Sequence, residues 1–221
     1  NYVKGDFRAA GKLVQDNLTM LVAFLLPATI GAVAIAEPLY TVFYGKPDSL
    51  ALGLFILAML QTVILGLYTV LSPMIQALFQ NRKAILYFGY GVLVKLILQV
   101  PFIYLFKAYG PLLSTTIGLM IPIVLMYKEI HQVTHFNRKT VFKRSLLTAI
   151  LTLIMLLVVL VAGFILGMVI KPNGRVTSML YVALIGGVGI VVYGGLGLRL
   201  RFLDRFIGSK AASLRNKFHI S

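Results

Sequence analysis

The sequence of 221 residues contains no cysteine and no tryptophan, and charged residues make up only 12% of it. Without cysteine, the chain cannot form disulfides, thiolate metal sites or cysteine nucleophiles. Soluble domains carry about 25% charged residues, whereas 59% of this sequence is hydrophobic. The composition therefore excludes a water-soluble globular protein.

Long apolar stretches fill most of the chain. A helix needs about 20 residues to cross a bilayer, so this length allows about six crossings and leaves no room for a soluble catalytic domain. The stretches lack the alternation of polar and apolar residues that is typical of a transmembrane barrel. We therefore expect an all-α, polytopic membrane helix bundle with six transmembrane helices. The stretches are residues 18–36, 50–72, 85–106, 111–127, 146–170 and 178–198.

The basic residues indicate the orientation of these helices. Of the 21 lysines and arginines, sixteen lie in segments on the same side of the membrane as the amino terminus, four lie in the opposite segments, and Lys95 lies within a span. Because cytoplasmic loops are enriched in lysine and arginine, we expect both termini to be cytoplasmic. The basic tail, residues 199–221, is expected to lie on anionic inner-leaflet lipids. Since the membrane accounts for the basic residues, no nucleic-acid partner is expected.

Lys95 stands at the middle of the third span, where a charged side chain costs about 2.5–3.5 kcal/mol. Going four residues at a time, Tyr87, Gly91, Lys95 and Gln99 share one helical face. The missing side chain at Gly91 leaves a gap into which a neighbouring backbone or a ligand could fit. Either Lys95 pairs or snorkels within the bundle, or it lines a cavity with Gln99.

A second polar stripe, on the second span, contains Gln61, Tyr68, Ser72, Gln76 and Gln80. The helical pattern predicts that this helix continues past Pro73 to about Arg82. Glutamines of this kind either bond to neighbouring helices or line a path. The substrate-path candidates taken from the two stripes are Lys95, Gln99, Gln61, Tyr68 and Gln76.

The sequence shows no enzyme motif. His131 and His135 are four residues apart near Glu129, but they fall in an expected loop without an HExxH pattern. No carboxylate pair and no GxSxG motif is present. The glycines of the last span do not form a GxGxxG motif, and the pairs Gly163/Gly167 and Ala183/Gly187 indicate close helix packing instead. We therefore expect no catalytic residue, no cofactor and no metal site.

Two stretches resemble a known family. Residues 25–45, LLPATIGAVAIAEPLYTVFYG, and residues 71–121, which begin LSPMIQALFQNRKAILYFGYG, resemble polysaccharide transporters of the multidrug/oligosaccharidyl-lipid/polysaccharide exporter superfamily. The similarity is to the branch containing lipid II flippases and SpoVB-like proteins. The resemblance implies alternating-access transport of lipid-linked saccharides in the bacterial cell membrane by fourteen helices. The chain would supply the last six and would need the amino-terminal helices of the same protein as its partner.

This resemblance gives the chain an expected organisation. Residues 1–17 would form a cytoplasmic connector, 18–127 a four-helix part of the second transporter lobe, 128–145 a basic cytoplasmic loop, 146–198 a closing helix pair and 199–221 an amphipathic tail. The function expected is therefore that of the carboxy-terminal part of a flippase for cell-wall or envelope polysaccharide precursors. The alternative is a non-transporting six-helix membrane assembly subunit or a small channel.

The orientation can be tested by cysteine labelling, since the natural chain contains no cysteine. With single cysteines at Val133, Ala211 and Asn173, we expect an impermeant maleimide added to intact cells to label only position 173. Positions 133 and 211 should react only after the membrane is opened. Labelling of position 173 only from the cytoplasmic side would overturn this topology.

Overall fold

The computed structural model describes residues 7–78, 80–169 and 174–199. These residues form helices and short connections, and this part of the chain contains no strand, so the expected all-α fold is confirmed. The helices are α1 (Phe7–Ala34), α2 (Ala36–Tyr44), α3 (Ser49–Ala77), α4 (Asn81–Phe106), α5 (Gly110–Thr134), α6 (Arg138–Val169) and α7 (Arg175–Arg199).

Five segments of the described chain are long and apolar enough to cross a membrane. One of them, Asn81–Thr134, is 54 residues long and contains both α4 and α5. A short 3₁₀ turn, Lys107–Tyr109, separates those two helices. The six long helices therefore match the six expected spans in number, and the chain is a multi-pass membrane helix bundle. The short α2 follows α1 after a break at Ile35.

Several helices extend beyond their apolar stretches. Within the expected connector 1–17, the chain is helical from Phe7 onward. Of the expected loop 128–145, only residues 135–137 lie outside helices. His135 ends α5 in a left-handed conformation, and the Asn137 side chain accepts a hydrogen bond from the Thr140 amide at the start of α6. Hydropathy marks where the lipid contact should end, but the helical backbone continues because it satisfies its own hydrogen bonds. The expected tail lies outside the described residues, apart from Arg199.

The third helix also differs from its expected length. It begins after Asp48, whose carboxylate accepts a hydrogen bond from the Ala51 amide at 2.6 Å, and it ends at Ala77 rather than near Arg82. The Gln80 amide donates to the Ile75 carbonyl oxygen at 3.3 Å, which closes the last turn. Leu78 is buried beside this turn. Gln80 therefore lies outside the polar stripe of α3 and directly precedes α4.

The chain divides into two compact units. Among the described residues, the first contains those up to Leu25 together with Gly53–Ser145, and the second contains Leu26–Leu52 and those from Leu146 to Arg199. The core of the first unit gathers where α3 ends, α4 begins and α5 meets α6, which is the expected cytoplasmic end. Its buried members are Val14, Leu18, Leu71, Ile75, Leu78, Ala84, Met126, Ile130, Phe136 and Val141.

The buried residues of α5 repeat every four positions. They are Gly110, Ser114, Gly118, Pro122, Met126, Ile130 and Thr134. A four-residue repeat drifts slowly around a helix of 3.6 residues per turn. The small members of this stripe lie near the turn that joins α4, and the larger Met126 and Ile130 belong to the core at the other end.

In the second unit, α6 packs against α7. The buried core contains Leu151, Met155 and Val159 from α6, with Ile185 and Tyr193 from α7. Contact involves two of the glycines in these spans: the Tyr181 hydroxyl donates to the Gly163 carbonyl oxygen at 2.9 Å, and Gly189 faces Val159 and Met155. By contrast, no atom of the described chain lies close to the open side of Gly167 or Gly187. The expected pairs Gly163/Gly167 and Ala183/Gly187 are therefore only partly used.

Candidate functional site

Lys95 lines a cleft between α4 and α5, within the first unit. The cleft has a volume of about 120 Å³ and is partly open. Apart from Lys95 and Thr115, its walls are made of apolar side chains and glycine. The lining residues are Phe88, Gly91, Val92, Lys95, Thr115, Gly118, Leu119 and Pro122.

A close approach of two backbones forms the floor of this cleft. A Cβ atom built on Gly91 would lie 2.5 Å from the Gly118 carbonyl oxygen and 2.8 Å from the Pro122 ring. A Cβ atom on Gly118 would lie 2.8 Å from both the Gly91 carbonyl oxygen and the Lys95 Cβ. Only glycine fits at either position without displacing the other helix. The gap expected at Gly91 is therefore filled by the backbone of α5, and the open space lies beside it.

Lys95 makes no hydrogen bond or ion pair with any residue in the described ranges. The nearby Thr115 hydroxyl donates to the Pro111 carbonyl oxygen at 2.7 Å, so it is already used within its own helix. Lys95 is the one cationic residue among the lining residues, none of which is a carboxylate, and the surface of the cleft is almost wholly apolar. A charge in such surroundings is costly unless water or an anion approaches it.

The other substrate-path candidates lie at varying distances from this cleft. Tyr68 of α3 contacts the Phe88 ring, with the ring centroids 5.8 Å apart, and Phe88 is a wall of the cleft. Gln99 lies one turn beyond Lys95 on α4, half-buried and outside the lining. Gln61 is half-buried in α3 and is also outside the lining. Gln76 is exposed and donates to the Ser72 hydroxyl at 3.3 Å. Of the α3 stripe, only Tyr68 is brought beside the cleft.

A polar network that the sequence did not predict joins the ends of α4 and α5. The Lys83 ammonium lies 2.6 Å from one carboxylate oxygen of Glu129, and the Tyr87 hydroxyl donates to the other at 3.1 Å. The Glu129 side chain is only 13% exposed, against 44% for Lys83. Glu129 falls within the expected loop 128–145, so this pairing was not predicted, whereas the structure places the residue in α5. The sequence does contain a signal for this pairing. Two helices joined by a short turn form an antiparallel hairpin, and residues at similar distances from the turn, such as Lys83 and Glu129, face each other.

A second ion pair joins two other helices of the first unit. The Arg144 guanidinium, near the start of α6, lies 3.0 Å from the Asp16 carboxylate of α1. The described residues include no group of three histidine or acidic side chains that could hold a metal ion. His131 lies in the last turn of α5 and His135 directly follows that helix, with their ring centroids 6.4 Å apart.

The glycine contact can be tested with two alanine substitutions on α4. We expect Gly91→Ala to destabilise the purified protein by about 1–3 kcal/mol, because the added methyl group must displace the backbone of α5. The matched control is Gly89→Ala, since no described atom from another helix lies near the open side of Gly89. Alanine also favours a helix over glycine. Thermal unfolding in detergent, followed by circular dichroism, measures both effects, and equal shifts for the two variants would contradict this packing.

The carboxylate network can be tested by removing single hydroxyl groups. We expect Tyr87→Phe to cost about 1–2 kcal/mol of stability, since it leaves a buried carboxylate with one hydrogen bond fewer. Tyr90→Phe is the control, because the Tyr90 side chain is exposed and its hydroxyl bonds to none of the residues described. The same unfolding measurement compares them. A Tyr87→Phe variant as stable as Tyr90→Phe would show that this hydrogen bond contributes nothing.

Comparison with known proteins identifies a relative. The chain is 28% identical over 215 residues to "Lipid II flippase MurJ" of Bacillus subtilis (strain 168). The match covers 95% of this chain but only 39% of the relative. No protein-family model matches the chain. No solved structure matches it significantly. Because the similarity extends over nearly the whole chain, the resemblance stated from the sequence is confirmed: the chain is similar to part of a lipid II flippase, a protein of the branch that it resembles.

Proposed function

We propose that this chain is the carboxy-terminal part of a bacterial flippase that moves lipid-linked saccharides, precursors of cell-wall or envelope polysaccharide, across the membrane. The observation that carries this proposal is the similarity of 95% of the chain to a protein named for lipid II flipping. The relative is much longer, so the transport activity would belong to the whole protein. The six long helices are compatible with the last four helices of its second lobe and the closing helix pair.

Alternating access is the proposed mechanism. In transporters of this kind, one group of helices moves against another around a shared site near the middle of the membrane. The α4–α5 pair is suited to move as one element, because the two helices are joined at two places along their length. One is the glycine contact and the other is the Glu129 network. Lys95, Gln99, Gln61, Tyr68 and Gln76 remain the proposed substrate-path residues, with Lys95 and Tyr68 nearest the cleft.

The proposal treats the protein as a transporter and not as an enzyme. The name of the relative supports this class, since flipping a lipid makes and breaks no covalent bond. The rival functions, a membrane assembly subunit or a small channel, predict different behaviour in a sealed vesicle. An assembly subunit would move no lipid, and a channel would pass small ions or dyes without moving lipid.

Reconstitution of the whole protein that contains this chain tests the proposal. Its liposomes would carry an undecaprenyl-linked saccharide with a fluorophore on the sugar, and dithionite added outside would bleach the accessible molecules. We expect the protected fraction to fall well below that in empty liposomes as inner-leaflet molecules are brought out. A headgroup-labelled phospholipid is the control for general scrambling, and a trapped small dye is the control for a channel.

The chain of 221 residues alone is a further control in the same assay. Because it contains at most part of one lobe, we expect it to insert without moving the saccharide-lipid.

Protection in the whole-protein liposomes equal to that in empty ones would contradict the proposed function. Dye leakage without lipid movement would favour the channel.

A further inference from the structure

The size of the α4–α5 cleft limits what can enter it. Its volume of about 120 Å³ is slightly below the roughly 150 Å³ of an apolar protein cavity known to admit benzene. A phosphate group or one isoprene unit has fewer heavy atoms than benzene, whereas a hexose has about twice as many. The cleft can therefore hold one isoprene unit or one phosphate group, but not a sugar ring.

The side chains that line the cleft also disfavour a sugar. Phe88, Val92, Leu119 and Pro122 offer no hydrogen bonds through their side chains, and the Thr115 hydroxyl already donates within its own helix. A sugar held against these walls would lose hydrogen bonds to water without replacing them. An isoprene unit loses none and gains apolar contact. The walls thus suit the lipid part of the cargo.

The charge of Lys95 adds the third argument. Lysine binds phosphate as a point charge, and a low-dielectric surrounding strengthens that attraction. No carboxylate lines the cleft to compete for the ammonium group. Lys95 is also at the middle of its expected span, whereas the phosphates of ordinary membrane lipids stay at the surface. A phosphate comes near this depth when a lipid is being carried across.

We propose that the α4–α5 cleft binds the cargo lipid where its phosphate joins the polyprenyl chain, with the first isoprene unit against the apolar walls and the phosphate at the open side of the cleft, bound by the Lys95 ammonium. This inference rests on the proposed function, of which it specifies one binding site. The saccharide then lies outside the cleft. As a consequence, this site recognises the polyprenyl phosphate and is indifferent to the identity of the sugar.

Photo-crosslinking in the whole protein tests this assignment directly. A photoreactive amino acid is placed either at Leu119, which lines the cleft, or at Met120, which is exposed outside the lining. The probe is radiolabelled undecaprenyl phosphate in nanodiscs of neutral and anionic phospholipid. We expect crosslinking at least five-fold higher from position 119 than from position 120. Equal crosslinking from the two positions would overturn the proposal.

Competition shows which part of the lipid is recognised. Unlabelled undecaprenyl phosphate and undecaprenyl diphosphate carrying different saccharides should all reduce the signal at position 119. Uncharged undecaprenol and the free saccharide should compete at least five-fold less well. Because these arms use the natural Lys95, they decide the role of the phosphate even where a Lys95 variant fails to fold. Equal competition by undecaprenol would overturn the role of the charge.

Substitution of Lys95 then locates the charge. We expect Lys95→Met to lose most of the crosslink at position 119, and Lys95→Arg to retain it. The control is Lys107→Met, which removes an exposed lysine in the turn after α4. An unchanged crosslink in a folded Lys95→Met protein would overturn the assignment of Lys95.

The transport assay on the same preparations separates this inference from the proposed function. If the natural protein moves the saccharide-lipid but positions 119 and 120 crosslink equally, only the cleft assignment fails. If the natural protein moves no lipid but the crosslink depends on Lys95 and on phosphate, the proposed function fails and the cleft stands as a polyprenyl phosphate site. A folded Lys95→Met protein that loses both crosslink and transport would support the two together.

Discussion

The close approach of α4 and α5 at Gly91 and Gly118 is the constraint on which the first unit depends. Each glycine meets the backbone of the other helix, so neither can carry a side chain without moving its partner. This contact places Lys95 against Gly118 and leaves the cleft beside it. The turn Lys107–Tyr109 joins the helices at one end, and the Glu129 network joins them at the other. The position of Lys95 beside the cleft is therefore set by packing of small residues.

Acidic residues are few in this chain, and those that the structure describes either lie at helix amino termini or pair with cations of neighbouring helices. Asp48 caps α3, Glu37 lies in the first turn of α2, and Asp16 and Glu129 pair with cations of neighbouring helices. Negative charge is favourable at a helix amino terminus. None of these carboxylates lines the cleft. The scarcity of acids thus has a structural consequence, because it leaves the charge of Lys95 available to an anion from outside the described chain.

Much of this architecture could be predicted from the sequence. The six apolar stretches gave the six long helices and the all-α fold, since hydrophobic length is the strongest signal in a membrane protein. The ends of the helices could not be read in the same way, as α1, α5 and α6 continue into polar residues and α3 ends before Arg82. Four-residue spacing correctly grouped Gly91 with Lys95, but it could not tell that a backbone rather than a ligand occupies the gap. Spacing along one helix carries no information about the register of its neighbour, which is why Gln61 and Gln76 do not reach the cleft and why Glu129 was missed.

The buried stripe of α5 also restricts how this helix can move. Its members are glycine and serine near the turn, and the larger Met126 and Ile130 lie further along the helix, before Thr134. If α5 shifted along its axis by four residues relative to α4, either Ser114 or Pro122 would come to lie against Gly91 in place of Gly118. Both carry a Cβ atom, and the space at that point accepts none. A four-residue slide of α5 along α4 is therefore disfavoured in both directions, because either shift would press a Cβ atom against the backbone of α4 at Gly91.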